Sequence, residues 1–280
     1  MPRFSVIIPS YNASKTLSYT LKSCLNQSFH DFEVILIDDC SDDDTEQICL
    51  KFSERFKKAK ICFRYFRLEK NHGVSYARNF GWNNALGDYV CFLDSDDIWH
   101  RSKLQAIDFH IDNFILTCLF HSYTDDFSYF NRHCNLRPDD FQLIRKNAIY
   151  FLLRNPSQTS CFVVKTDADY RFNEKMGFCE DYDLWLRISL KEPVYALMAH
   201  PLTLLGRPQL SPGGLSSSRL KMRKGEMEAY FNICREIKGF YVILPALLLV
   251  SILKHIKSEI LLALRKLLVA TNSLNNSIKS

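Results

Sequence analysis

Short apolar segments alternate with longer segments of helical periodicity along the first part of the chain. The apolar segments are rich in β-branched and aromatic residues and have the length of strands: Phe4 to Ile8, Glu33 to Ile37, Ile61 to Phe66, Tyr89 to Leu93 and Ile115 to Phe120. Between the first two of them, Leu17, Leu21 and Leu25 recur every fourth residue, as on one buried face of a helix. This alternation predicts an α/β fold with a mostly parallel sheet and helices on its faces.

The pattern is less regular in the second part of the chain. Tyr150 to Leu153 has the character of a helix end, Cys161 to Val164 that of a strand, and Asp181 to Leu190 that of a helix. Gly, Pro, Gln and Ser dominate residues 206–218, which indicates a loop or linker. We therefore expect a main domain over residues 1–205, a linker over residues 206–218 and a helical tail over residues 219–280.

The helical tail combines an apolar run with a basic amphipathic segment. Phe240 to Leu253 has no charged residue, but as a helix it would span only about 21 Å, short of the roughly 30 Å of a bilayer core. In the next segment, Lys254 to Leu268, the apolar residues share one face: Ile256, Ile260, Leu261, Leu264, Leu267 and Leu268. We expect this segment to lie on the inner face of the cytoplasmic membrane. The alternative is a helical hairpin that packs on the domain with its basic face in solvent.

The composition is that of a globular protein with a basic tail. The 280 residues are 47% hydrophobic and 24% charged, which excludes a disordered chain. The net charge is +5, of which +6 falls between Arg219 and Lys266 and −1 in the remainder. Aliphatic residues interrupt this basic charge and no aromatic stacking platform accompanies it, so we expect no nucleic-acid partner. The ten cysteines form no Cys-x-x-Cys pair, and the short apolar start lacks a signal-peptide core, which predicts reduced thiols and a cytoplasmic location.

Polar and acidic residues follow the first, second and fourth predicted strands. They are Pro9-Ser10-Tyr11-Asn12, Asp38-Asp39 and Asp94-Ser95-Asp96-Asp97. Ligands of open α/β sheets bind beyond the carboxyl ends of the strands, so these side chains are expected to converge. A helix cap explains one acid of the last group and leaves the others unexplained. Acids at one sheet edge repel each other unless a cation neutralises them, and Mg²⁺ or Mn²⁺ commonly joins one or two carboxylates to substrate phosphates. A nucleotide diphosphate is therefore the expected ligand.

Five segments together resemble family 2 glycosyltransferases with the GT-A fold. They are Val6 to Asn12, Val34 to Ser41, Asn71 to Asn79, Asp94 to Asp97 and Glu180 to Asp183. Their order and spacing agree with the family over residues 4–190. The resemblance implies a metal-dependent, inverting enzyme that moves a sugar from a nucleotide-sugar, usually a UDP-sugar, to a hydroxyl of a glycan or lipid-linked acceptor. It also implies a place in the synthesis of bacterial surface polysaccharide or lipopolysaccharide.

The resemblance further implies roles for single residues. Pro9 and Tyr11 would border the nucleotide base, and Asp39 would accept a hydrogen bond from it. Asp94 would meet the ribose or the metal, and Asp96 or Asp97 would ligate Mn²⁺ or Mg²⁺. The remaining assignments are Arg78 and Asn79 as supports of this cradle, Asp181 as the general base, and Arg207 as the candidate contact for the diphosphate. For Asp181 the alternative is a helix cap.

Two other functions compete with this interpretation. A phospho-receiver domain also gathers carboxylates around Mg²⁺ at a sheet edge, but it needs only about half this length. The chemistry of a phospho-receiver domain also does not require Pro9-Ser10-Tyr11-Asn12 or a late Glu-Asp pair. A non-catalytic partner subunit that binds a sugar nucleotide would keep the fold without turnover. The intact set of acids argues against that alternative, and the sequence leaves it open.

Overall fold

Strands and helices alternate as the apolar pattern predicts. The computed structural model describes residues 1–111, 117–132, 136–207, 218–257 and 259–260. The strands are β1 (Phe4–Ser10), β2 (Phe32–Asp38), β3 (Cys62–Arg67), β4 (Tyr89–Phe92), β5 (Ile98–Trp99), β6 (Cys118–His121), β7 (Tyr123–Thr124), β8 (Gln142–Lys146), β9 (Phe162–Lys165), β10 (Val194–Met198) and β11 (Thr203–Leu204). The helices are α1 (Leu17–Leu25), α2 (Thr45–Lys58), α3 (Val74–Asn83), α4 (Lys103–Ile111), α5 (Phe127–Arg132), α6 (Ala148–Leu153), α7 (Glu180–Lys191), α8 (Arg219–Glu236) and α9 (residues 244–257).

The central sheet is mixed and mostly parallel. Its strand order is β3-β2-β1-β4-β9-β6-β10-β8, and β5, β11 and β7 form a second, small sheet. The pairs from β3 to β4 and the β6–β10 pair are parallel, whereas β9 runs antiparallel to both of its neighbours and β8 is antiparallel to β10. The predicted α/β fold with a mostly parallel mixed sheet and C-terminal helices is confirmed.

Both faces of the central sheet are covered, which explains the unbroken apolar runs. All residues of β1 and of β2 are buried. Ile7 and Ile8 point to opposite faces and belong to two separate core clusters, as alternation along a strand requires. Parallel strands of this kind end together, so the loops after β1, β2 and β4 meet at one edge.

The described part of the helical tail packs on the main domain. Ala229, Tyr230 and Ile233 of α8 are buried in the same core cluster as α7, and Leu244 and Leu247 of α9 join them. The opposite side of α9 is exposed. In the described part of the chain no helix is long and apolar enough to cross a membrane. Residues 208–217 of the predicted linker and residues 261–280 of the tail, with Leu261, Leu264, Leu267 and Leu268, lie outside the described residues.

A buried ionic cluster fastens α9 to α8. Glu226 of α8 accepts hydrogen bonds from Lys254, at 2.7 Å, and from Ser251 and Arg223. A buried carboxylate of this kind is tolerated because several donors satisfy it. All nine cysteines within the described ranges are free thiols, most of them buried.

Candidate active site

A pocket of about 840 Å³ opens at the edge where β1, β2 and β4 end. The structure brings nine of the ten predicted site residues to its walls: Pro9, Tyr11, Asp39, Arg78, Asp94, Asp96, Asp97, Asp181 and Arg207. The tenth, Asn79, does not line the pocket, and its side-chain amide donates to the carbonyl of Phe172 at 2.9 Å and to Glu174 at 2.8 Å. The nine residues of the pocket come from six separate segments of the chain. The side chains that follow β1, β2 and β4 therefore converge as predicted, while the roles of the individual residues stay predictions.

One end of the pocket is formed by the loops after β1 and β2. Tyr11 is 50% exposed and lines this end. The Asp39 carboxylate accepts the backbone N–H groups of His72 and Gly73, each at 2.7 Å. Each carboxylate oxygen keeps a second lone pair, so Asp39 can still accept a hydrogen bond from a nucleotide base. Gly73 has φ 91°, a conformation that favours glycine, and it precedes the first turn of α3.

The acidic loop after β4 forms the floor of the pocket. Asp97 is buried and accepts the backbone N–H of Gly206 at 3.1 Å, whereas Asp94 and Asp96 are partly exposed. Burial and the neighbouring acids raise the pKa of Asp97 well above its usual range, and burial and Asp94 raise the pKa of Asp96. A Cβ at residue 206 would lie 1.7 Å from the backbone oxygen of Asp96, so only glycine fits there. This contact fixes the segment that carries Arg207 against the acidic loop.

Arg207 forms an ion pair with Asp96 in the pocket. Its Nε lies 3.4 Å from Asp96 Oδ2, and its side chain is largely exposed. Exposed ion pairs are weak, so a diphosphate in the pocket can compete for this guanidinium. The geometry is compatible with the predicted phosphate contact.

The acidic loop has the donor set of a Mg²⁺ or Mn²⁺ site that is completed by substrate phosphates. Among the described residues no group of three or more His, Cys, Asp or Glu side chains is placed to hold a metal ion by itself. Asp94 and Asp96 offer two carboxylates that face the pocket, and ions of this type use one or two carboxylates together with phosphate oxygens. Asp97 lies deeper and is held by Gly206. The residues fit the metal, with Asp96 as the more accessible of the two predicted ligands.

Arg78 joins the acidic loop to α7. Its guanidinium is almost fully buried and donates to Asp94 Oδ1 at 2.8 Å and to Glu180 Oε1 at 2.9 Å. Burial opposes the charged form, but Asp94 and Glu180 raise the pKa of Arg78 above its ordinary value. Arg78 therefore stays charged and holds two carboxylates in fixed positions. The predicted support of the cradle has a defined geometry.

Asp181 lies in the first turn of α7, and Cys179 occupies the N-cap position. Its Oδ1 accepts the backbone N–H of Tyr182 at 2.7 Å, and its Oδ2 accepts the side-chain amide of Asn155 at 3.1 Å. Burial and the neighbouring Glu180 raise the pKa of Asp181 to about 6, although Arg78, Tyr182 and Asn155 oppose the rise. A carboxylate with a pKa just below neutral is well suited to accept a proton at physiological pH.

The structure adds two residues that sequence reasoning missed. Asn155 belongs to an exposed loop, and nothing in its sequence shows that it reaches Asp181. Lys103 is fully buried beneath the acidic loop, and its Nζ donates to the carbonyl of Ser160 at 2.7 Å. Burial lowers the pKa of Lys103 to about 7. Lys103 is the first residue of α4, and a lysine in the first turn of a helix has no sequence feature that predicts burial.

Comparison with known proteins relates the whole arrangement to one family. The family profile described as "Glycosyl transferase family 2" matches residues 5–169. The amylovoran biosynthesis glycosyltransferase AmsB of Erwinia amylovora is 36% identical over 211 residues, which are 71% of this chain and 68% of AmsB. WfgD of Escherichia coli, a UDP-Glc:alpha-D-GlcNAc-diphosphoundecaprenol beta-1,3-glucosyltransferase, is 27% identical over 265 residues, 90% of this chain and 94% of WfgD.

Two solved structures share the fold. TarS 1–349 of S. aureus in complex with UDP-GlcNAc has a TM-score of 0.64 at 22% identity, over 84% of this chain and 67% of TarS 1–349. The mannosyltransferase PcManGT of Pyrobaculum calidifontis, in complex with GDP-Man and Mn²⁺, has a TM-score of 0.59 at 16% identity, over 98% of this chain and 80% of PcManGT. At these identities the comparison concerns the fold alone. The predicted GT-A fold is confirmed.

Proposed function

The chain belongs to glycosyltransferase family 2, and from this membership we propose that it moves a sugar from a UDP-sugar to a hydroxyl of a glycan or lipid-linked acceptor, with inversion. The observation that carries the proposal is one pocket with Tyr11 and Asp39 at one end, the acidic loop on its floor and Asp181 on its wall. UDP is favoured because the names of WfgD and of the TarS complex contain UDP-sugars. The names of AmsB and WfgD support a role in the synthesis of surface polysaccharide.

Asp181 is the general base in this proposal. The acceptor oxygen forms a bond to the anomeric carbon while the bond from that carbon to the diphosphate breaks, and Asp181 takes the proton of the acceptor hydroxyl. With a pKa of about 6, Asp181 is mostly ionised at pH 7 and above. Arg78 holds Glu180 beside Asp181 and Asp94 on the floor of the pocket, so the donor and acceptor sides keep a fixed relation.

A divalent cation belongs to the donor side of the pocket. When bound, Mn²⁺ or Mg²⁺ would neutralise the charge of the diphosphate. Asp96, with Asp94 or Asp97, would hold it, and Arg207 would contact the phosphates. The Mn²⁺ in the PcManGT complex supports this part of the proposal, since that protein has the same fold.

Tyr11→Ala is expected to weaken UDP binding about tenfold, because an exposed aromatic ring that stacks on a base contributes about 1–3 kcal/mol. Titration calorimetry with UDP and with GDP measures the effect and the base preference together. Tyr19→Ala is the matched control, since Tyr19 is similarly exposed, at 60%, but lies outside the pocket. Equal UDP affinity of Tyr11→Ala and the wild type would remove Tyr11 from the base site.

The exposed side of α9 supports a contact with the cytoplasmic membrane. Apolar side chains three or four residues apart are about half exposed there, namely Leu249, Ile252, Leu253 and Ile256, and Ile260 beyond the end of α9 is similarly exposed. Lys257 is exposed beside them. An apolar stripe with basic neighbours is typical of a helix that lies on an anionic bilayer. A lipid-linked acceptor, such as the WfgD name contains, would be presented at that surface. We therefore place the enzyme on the inner face of the membrane.

The double variant Leu253→Glu, Ile256→Glu is expected to reduce recovery on anionic vesicles more than tenfold, since each buried aliphatic side chain contributes about 1.5–3 kcal/mol. Co-sedimentation with vesicles measures the recovery. Point variants are preferable to removal of the tail, because α8 and α9 contribute buried side chains to the core. Leu50→Glu, at an equally exposed leucine of α2, is the control. Unchanged recovery of the double variant would show that the exposed side of α9 does not contribute to membrane binding.

A further inference from the structure

We propose that Asn155 is a positioning residue for the general base, which holds one oxygen of the Asp181 carboxylate and so fixes the direction in which Asp181 faces the acceptor. The inference rests on the proposed function, because it takes Asp181 to be the base. It adds a residue outside the segments that resemble the family. Asn155 does not line the pocket and bonds to Asp181, so its effect is expected on proton transfer rather than on donor binding.

Both oxygens of the Asp181 carboxylate are held. Asn155 Nδ2 donates to Oδ2 at 3.1 Å, and the backbone N–H of Tyr182 donates to Oδ1 at 2.7 Å. Thr159 Oγ1 lies 3.5 Å from Oδ2, at the outer limit of a hydrogen bond. Two donors on different oxygens prevent rotation of the carboxylate about its last bond. Each oxygen keeps a lone pair, and one of them can accept the proton of the acceptor hydroxyl.

The loop that carries Asn155 is anchored on its N-terminal side. It begins where α6 ends, and the carbonyls at that end accept hydrogen bonds from buried tyrosines. Tyr182 Oη donates to the carbonyl of Phe151 at 2.7 Å, and Tyr230 Oη donates to the carbonyl of Leu152 at 2.9 Å. Tyr182 is the neighbour of Asp181 in α7. Asp181 and the loop of Asn155 are therefore both bonded to Tyr182, Asp181 through the backbone N–H and the loop through the phenol.

The C-terminal side of the loop is anchored as well. Pro156 follows Asn155 and restricts its backbone to extended conformations. Ser157 Oγ then donates to the carbonyl of His121 at 2.7 Å, in a buried position at the end of β6. Asn155 is itself exposed, and its amide bonds to Asp181 from a loop at the surface. A side chain on a loop held at both ends can position a catalytic group reproducibly.

The groups around Asp181 decide the direction of the expected effect. Glu180 of α7 raises the pKa of Asp181, as burial does, whereas Arg78 of α3, the Tyr182 N–H and the Asn155 amide lower it. The thiol of Cys179 also faces Asp181, and its own pKa is raised by burial and by these acids. Loss of the Asn155 donor removes a stabilising hydrogen bond from the ionised form only. The pKa of Asp181 then rises, and the base is protonated at a higher pH.

The test is the pH profile of kcat/KM for sugar transfer by the full chain. In Asn155→Ala the acidic limb is expected to move up by about one pH unit, which corresponds to about a tenfold loss below the limb and a smaller loss at pH 8.5. KM for the donor is expected to stay unchanged. Asn155→Asp, which replaces the donor by a like charge of the same size, is expected to move the limb further.

Asn147→Ala is the matched control for a purely structural effect. Asn147 caps the other end of α6 by accepting the backbone N–H of Tyr150, so its loss lowers the melting temperature without moving the acidic limb. An acidic limb at the wild-type position in both Asn155 variants, with an inactive Asp181→Asn, would overturn the positioning role alone. Wild-type turnover of Asp181→Asn would instead overturn the base and, with it, this inference.

Discussion

Asp181→Asn is expected to reduce the rate of sugar transfer by about a hundredfold to ten-thousandfold, the usual contribution of a general base. The amide has nearly the size of the carboxylate but cannot take the proton of the acceptor hydroxyl. The carbonyl oxygen of the new side chain can accept from Tyr182 or from Asn155, and its amide nitrogen then faces the other donor, so one of the two hydrogen bonds is lost. Among the described residues, Asp181 has no hydrogen bond to Tyr11, Asp39 or Asp96, the proposed donor-binding residues.

UDP affinity of Asp181→Asn should therefore stay within about twofold of the wild type, which calorimetry can measure beside the transfer assay. Asp167→Asn is a suitable control, because the Asp167 side chain is 73% exposed, pairs with Lys165 and lies outside the pocket. Retention of near-wild-type turnover in Asp181→Asn would exclude Asp181 as the base.

Asp96→Ala is expected to raise the Mn²⁺ concentration for half-maximal activity more than about tenfold and to weaken UDP binding in the presence of Mn²⁺. Asp96 faces the pocket, and Arg207 is its described ion-pair partner. Its loss removes a predicted metal ligand without uncovering the core. The measurement is a Mn²⁺ titration of transfer, repeated with Mg²⁺.

Asp97→Asn distinguishes the role of Asp97 from that of Asp96. Asp97 is buried against Gly206, so its amide variant should lower the melting temperature or loosen the 206–207 segment, with a smaller direct effect on the Mn²⁺ titration. If Asp96→Ala titrated with Mn²⁺ as the wild type does, the ligand role would pass to Asp94 or Asp97.

The donor half of the molecule could be predicted from the sequence for a simple physical reason. β1 and β2 are buried on both faces, so they appear as unbroken apolar runs with sharp polar ends. The side chains after those ends converge because parallel strands end at one edge. Tyr11, Asp39 and Asp94 were placed in the pocket by this argument alone.

The acceptor half depends on contacts that the local pattern does not encode. β9 lies antiparallel between β4 and β6, and the sequence does not indicate this place in the strand order. The edge strand β8 is largely exposed, so its hydrophobic pattern does not indicate which of its faces is buried. The buried face of α8 mixes small, charged and large residues: Gly225, Glu226, Ala229, Tyr230, Ile233 and Cys234. A Cβ at residue 225 would lie 2.5 Å from the carbonyl oxygen of Phe178. A basic helix whose buried face includes Gly and Glu has little amphipathic signal. The bonds from Asn155 to Asp181 and from Tyr230 to Leu152 join distant segments and are visible only in the fold.

Release of nucleotide by the purified chain tests the central claim most directly. UDP-, GDP- and TDP-sugars would be supplied in turn with a sugar-diphospholipid acceptor, with Mn²⁺ and again with a chelator. We expect acceptor-stimulated release of UDP from one UDP-sugar, which the chelator abolishes. No release from any donor, together with no binding of UDP, would contradict it and favour the non-catalytic partner subunit.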